Sequence, residues 1–100
     1  MLEAQLASAL LVMPTTVLTA PEVAPLDADD ELFHKVNLRT LRNTTMGNVL
    51  DLCAITLPNG HDGKKLPTSI LLSAPRNDDE RLLGFALAVE GITREVFNAS

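Results

Sequence analysis

Hydrolytic chemistry needs a nucleophile beside a base, with backbone N–H groups free to approach an oxyanion, and the nucleophile usually sits in a Gly-rich turn. The four serines of this 100-residue chain, Ser8, Ser69, Ser73 and Ser100, have no such glycines around them. The five glycines come no closer together than Gly60 and Gly63, so no phosphate-cradling loop is present either. Cys53 stands between Leu52 and Ala54 in an apolar run, where a thiol reads as an inert small hydrophobe rather than a nucleophile. His61 adjoins Asp62, a pairing able to orient an imidazole, but the surrounding Asn, Gly and Lys residues make a solvated turn the favoured reading. His34, next to Phe33, reads as a surface or packing residue.

One cysteine and two histidines give no metal-ligand spacing. Asp78, Asp79 and Glu80 are acids ahead of an apolar helical stretch, a placement that the helix dipole favours without any ion. No catalytic residue, no metal and no cofactor is therefore expected within this chain. The densest polar cluster between apolar segments is Arg42, Asn43 and Thr44 with Asn48. From residue types alone, capping of a helix end is favoured for it over ligand contact.

The elements that would position these residues must fit a small, acidic chain. Eight Lys and Arg against 13 Asp and Glu leave a net charge of −5, which argues against a nucleic-acid groove or an anionic membrane surface, since both need clustered bases. No apolar run is longer than that of residues 9–13, which is far short of the roughly 20 residues that span a bilayer. Glu3 stands where a secretory signal would carry bases, and a lone cysteine suits a reducing compartment, so a cytoplasmic setting is expected. At this length the chain is one domain at most, with a core that leaves a small stability margin.

Residues 10–13 form an apolar run closed by Pro14, which predicts a strand, and residues 2–8 could supply one or two helical turns before it. The three prolines between positions 14 and 25 predict a long loop. Acids at 27, 29, 30 and 31 followed by Leu32, Phe33, Val36, Thr40 and Leu41 predict a helix over 29–41. Residues 42–45 then interrupt it, with a further helical turn over 46–50. Residues 52–57, ended by Pro58, and 68–74 predict an antiparallel pair joined by the polar turn over 59–65. Asn77 and Glu80 resemble a capping box, and Leu82, Phe85, Ala86, Val89, Ile92 and Val96 predict one apolar face of a closing helix. The order strand, helix, strand, strand, helix implies an α/β layer with a mixed sheet and packed helices.

Several of these stretches together resemble the C-terminal portion of the amidase signature family of amide hydrolases, which includes the A subunit of the tRNA-dependent amidotransferase. Residues 9–16, ending Met13-Pro14-Thr15-Thr16 and followed by Ala20-Pro21, are similar to a late strand of that family and the loop after it. Arg42-Asn43-Thr44-Thr45-Met46-Gly47-Asn48 resembles its Arg-Asn-Thr segment with a later Asn. Residues 52–60 resemble a strand ending in Pro-x-Gly, Leu66-Pro67 opens the next strand, and residues 76–83 match the entry to the closing helix. Asp51 stands where the family often has Gly, Cys53 where it often has Pro, and Ser69 and Leu71 where Gly and Gln often follow the Leu-Pro pair.

The resemblance covers residues 9–92 and implies a single partial domain over 1–100 with the fold of the family's C-terminal part. It also implies that the Ser–cis-Ser–Lys triad, which in the family lies far upstream, is missing, so the chain is expected to be inactive alone. Arg42, Asn43, Thr44 and Asn48 would then lie on the substrate-pocket side. A small-molecule amide would be a partner only once the catalytic portion is supplied, and association with that portion or with a second copy is expected. The alternative is a small non-catalytic binding or regulatory module.

Overall fold

Two strands that pair with the same central neighbour organise the molecule. The computed structural model describes residue 6 and residues 9–100, so apart from Leu6 the helical turns expected over 2–8 lie outside the described residues. The order is β1 (Leu11–Pro14), α1 (Val23–Ala28), α2 (Asp30–Val49), β2 (Cys53–His61), β3 (Pro67–Ala74) and α3 (Asp79–Ala99). The sheet runs β1-β3-β2, with Leu11 opposite Ser73 on one side of β3 and Cys53 opposite Ala74 on the other. β1 and β2 thus share a direction but do not pair with each other, and both ladders of this α/β fold are antiparallel rather than mixed.

Side chains alternate across the sheet. Leu57, Leu72 and Ala74 pack on one face against Leu82 and Ala86 of α3, with Leu10, Cys53, Ile55, Ile70 and Val89 partly buried around them. The packed stripe of α3 is therefore narrower than expected: Phe85, Ile92 and Val96 are 45%, 65% and 53% exposed. Rotation of about 100° per residue carries those three to the flank of the Leu82–Ala86–Val89 line, beyond the reach of a sheet only three strands wide.

Four local expectations change. β2 continues through Pro58 to His61 because it is an edge strand, where a missing N–H disturbs no inner ladder, and the register shifts between Pro58 and Gly60. The proline-rich connection contains α1, whose Pro25 sits in the first turn, where the N–H has no helical partner in any case. α2 runs unbroken through residues 42–45, since the Thr40 and Thr44 hydroxyls donate to the Val36 and Leu41 carbonyls and so join the helix instead of competing with it. The Asn77–Glu80 capping box does not form. Asn77 is left-handed (φ 70°), Asp78 occupies the cap position, and the Asp78 carboxylate is taken by Arg81 at 2.8 Å.

α2 begins at Asp29, whose carboxylate accepts from the Leu32 N–H at 3.2 Å. It ends in a Schellman turn: Leu52 N–H donates to Gly47 O, Asp51 N–H donates to Asn48 O, and Asp51 adopts φ 55°. Arg81 holds the start of the described chain to α3 by donating to the Leu6 and Ala9 carbonyls at 2.9 and 3.3 Å.

The result is a slab of 46 × 34 × 16 Å with a radius of gyration of 15.5 Å, against about 13 Å for a compact 100-residue domain. Large apolar side chains remain on its surface, among them Leu38, Val49 and Leu87. No helix among the described residues is long and apolar enough to cross a membrane.

Candidate functional site

The polar cluster of α2 does not converge on one point. Successive helix residues turn by about 100°, so Arg42, Asn43 and Thr44 face three directions, and only Thr44 and Asn48, four apart, share a side. Asn43 is the buried one, and its Nδ2 donates to the Pro14 carbonyl at 2.7 Å. Thr44 is half-buried with its hydroxyl on the helix backbone, while Arg42 and Asn48 are exposed. Asn43 thus acts as a clamp between α2 and the end of β1, and Arg42 and Asn48 are the members free to meet a molecule placed against α2.

A second polar group gathers where β1 ends. The Ser69 hydroxyl donates to Thr15 Oγ1 at 2.8 Å, Thr15 and Thr56 share a 2.6 Å hydrogen bond, and the Thr56 hydroxyl donates to the Ile70 carbonyl at 3.2 Å. Each hydroxyl has one proton, so the direction is fixed: Ser69 donates to Thr15, Thr15 to Thr56, and Thr56 to backbone. Ser69 is left able to accept but not to donate. It lines a cavity of about 380 Å³ whose walls include Pro14, Val17, Leu18 and Ile70, together with Asn59. Asn59 accepts from Thr68 through Oδ1, which leaves its amide hydrogens for another partner. A largely apolar cavity with hydroxyl acceptors and an amide donor on its wall suits a small uncharged polar ligand. These hydroxyls come from β2, β3 and the residue that follows β1, and were not marked out by any local motif, although the Pro14-Thr15-Thr16 run was already conspicuous.

The hairpin turn answers the histidine question. Asp62 accepts from the Lys64 and Leu66 N–H groups at 2.8 and 2.9 Å and from the Thr19 hydroxyl at 2.7 Å. The Thr19 bond first, then the Leu66 N–H, hold its carboxyl below the usual carboxylate range, with Lys64 adding to the effect against a smaller opposing cost of burial. His61 does not pair with Asp62. Its Nδ1 lies 2.6 Å from Ser100 Oγ, and because that hydroxyl donates to Phe97 O, the network assigns the donated proton to Nδ1. The imidazole stacks on Phe97 at 4.3 Å. No nucleophile and base are thereby brought together at His61 and Asp62.

Cys53 is half-buried beside the core, with Sγ 3.3 Å from the Pro75 carbonyl, a packing role as expected. His34 meets Phe33 edge-on at 5.7 Å. Among the described residues no three His, Cys, Asp or Glu side chains group as metal ligands, and Asp78 is committed to Arg81.

Over 82 residues the chain is 32% identical to 2-amino-5-chloromuconic acid deaminase of Comamonas testosteroni, a match that takes in 82% of this chain and 18% of the relative. It is 37% identical over 78 residues to a fatty acid amide hydrolase of Oryza sativa subsp. indica, covering 77% of this chain and 13% of that enzyme. The same figures hold for a fatty acid amide hydrolase of Oryza sativa subsp. japonica. The chain therefore spans less than a fifth of the length of the curated relatives it matches. No protein-family profile matches it, and no solved structure does.

Proposed function

We propose that this chain, which is related in sequence to amidase signature enzymes over most of its length, is one structural segment of such an enzyme, the C-terminal one by its motifs. Its relatives act on carbon–nitrogen bonds. In this reading it is a single partial domain that hydrolyses no amide alone, because the Ser–cis-Ser–Lys triad belongs to another part of the enzyme. It works in the cytoplasm on a small-molecule amide, with the turn of α2 that carries Arg42, Asn43, Thr44 and Asn48 at the substrate pocket. Thr44 and Asn48, which share one side of that turn, face the substrate, Arg42 reaches it from a neighbouring side with its long side chain, and Asn43 sets the angle of the helix that presents them.

The observation that carries this reading is the disproportion of the match: 82% of the chain answers to 18% of the deaminase. A slab 16 Å thick with Leu38, Val49 and Leu87 each more than 70% exposed is consistent with a piece that other polypeptide covers.

The test mixes the purified chain with the Comamonas deaminase polypeptide lacking its matching segment, and measures ammonia released from simple aliphatic and aryl amides. The chain alone is expected to be inactive and the mixture active. Hydrolysis by the chain alone at enzyme-like rates, lost on Cys53→Ala or His61→Ala, would overturn the reading. The cavity beside Ser69 and Asn59 favours a second reading, a non-catalytic binding module. A monomer with a sharp melt that binds small neutral amides and gives no active mixture would select it.

A further inference from the structure

The outer face of α3 poses a problem that no other described residue solves. Between Leu82 and Thr93 the only charged side chain is Glu90, which pairs with Arg94 at 2.6 Å. The inner stripe packs on the sheet, yet Leu83, Phe85, Leu87 and Ile92 around the rest of the helix are 52%, 45%, 72% and 65% exposed. A helix that is apolar all round belongs inside a protein.

Gly84 and Gly91 lie seven residues apart, two turns along the exposed side, with Ala88 between them. A Cβ added at either glycine would meet nothing within 4 Å. Each costs about 1 kcal/mol of helix stability relative to Ala, with no compensating contact among the described residues. Bare backbone along an apolar helix face lets a second helix approach closely, near the short end of the usual 8–10 Å range of axial separations.

We infer that the outer face of α3 is the seat of a helix from the polypeptide that carries the rest of the amidase. This rests on the proposed function. The occupant is named from length: in the matched relatives more than four-fifths of the chain lies outside the segment this protein represents, and that polypeptide has the material to cover the face. Because Leu83, Phe85, Leu87 and Ile92 carry no charge, recognition here is by shape and apolar area.

The experiment compares Gly84→Leu and Gly91→Leu with the unaltered chain, first alone and then with the deaminase polypeptide lacking its matching segment. The free space at both positions means that each variant alone should melt at the same temperature as the parent or higher. Each should bind the truncated polypeptide at least tenfold more weakly and restore correspondingly less amide hydrolysis. Full association and activity with both leucine variants would overturn the inference while leaving the proposed function standing. Failure of the unaltered chain to associate or restore activity would overturn both. A dimer of the chain alone that the leucine substitutions dissociate would make a second copy the occupant and overturn the inference as stated.

Discussion

Asn43 and Pro14, 29 residues apart in sequence, are joined by a 2.7 Å hydrogen bond from the Asn43 amide to the Pro14 carbonyl, and Asn43 is the one buried residue of α2. The bond links the helix that displays Arg42 and Asn48 to the strand end whose Pro14 also lines the 380 Å³ cavity. In the proposed function it gives Asn43 a structural job and its neighbour Arg42 a substrate-facing one.

Asn43→Ala should therefore lower stability by about 1 kcal/mol, the usual net worth of such a bond, and Tm by about 4–8 °C. Arg42→Ala, at an exposed position, should change stability by less than about 0.5 kcal/mol. In the reconstituted enzyme Arg42→Ala should reduce kcat/KM without moving Tm. Thermal melts and amide hydrolysis of the two variants side by side check the division. Equal losses of Tm would show that Arg42 also supports the fold.

Asp51 closes α2 in the left-handed region, φ 55°, where a residue with a Cβ is strained by about 1 kcal/mol and glycine is not. Its salt bridge to Arg76 is 3.2 Å long but two-thirds exposed at both ends, so it contributes little. Asp51→Gly should raise stability by about 0.5–1 kcal/mol and Tm by several degrees. Asp51→Val should lower both, because a β-branched side chain tolerates that conformation least. Chemical denaturation midpoints of the two variants measure the difference.

Most of the sheet was legible because its determinants are local: the apolar runs at 10–13 and 68–74 end at prolines and became β1 and β3. What was not legible depended on partners far away in sequence. Asn43 and Thr44 look like turn formers until Pro14 is brought beside the helix to accept the Asn43 proton. The chain of hydroxyls joins Thr15 to Thr56 and to Ser69 across sequence separations of 41 and 54 residues, and only strand register could place them together. Phe85 and Ile92 share the helical period of the core residues, but periodicity does not tell which apolar side chains the available sheet is wide enough to cover. The pocket-side roles proposed for Arg42 and Asn48 rest on motif resemblance and not on geometry.

Leu72, 2% exposed, is the largest apolar side chain fully enclosed by the sheet and α3. Truncation to Ala removes its packing in the cluster it forms with Leu57, Ala74, Leu82 and Ala86 and leaves a cavity, at a cost of about 2–5 kcal/mol. In a slab with this small a core that cost should abolish the cooperative melt, whereas Leu87→Ala, removing a side chain 72% exposed, should leave it unchanged. Far-UV thermal melts or amide-exchange protection of the two variants distinguish them. A retained sharp transition in Leu72→Ala would mean a larger stability reserve than this core implies.

Asp62 holds the β2–β3 turn to the chain at Thr19, and its carboxyl titrates below the usual range chiefly because the Thr19 hydroxyl and the Leu66 N–H favour the ionised form. A carboxyl whose folded pKa is depressed binds fewer protons in the folded than in the unfolded state. Its contribution is complete above the unfolded value, about 3.9, and is lost as pH falls through the lower folded value. Thermal melts from about pH 6 down to about pH 2 should then show the parent chain more stable than Asp62→Asn at the upper end, with the gap closing below about pH 4. Thr19→Val removes the largest cause of the depression, so the acid loss in that variant should be smaller, and complete at higher pH, than in the parent. A gap between parent and Asp62→Asn that stayed constant across the acid range would show that the ionised carboxylate is not what ties Thr19 to the turn.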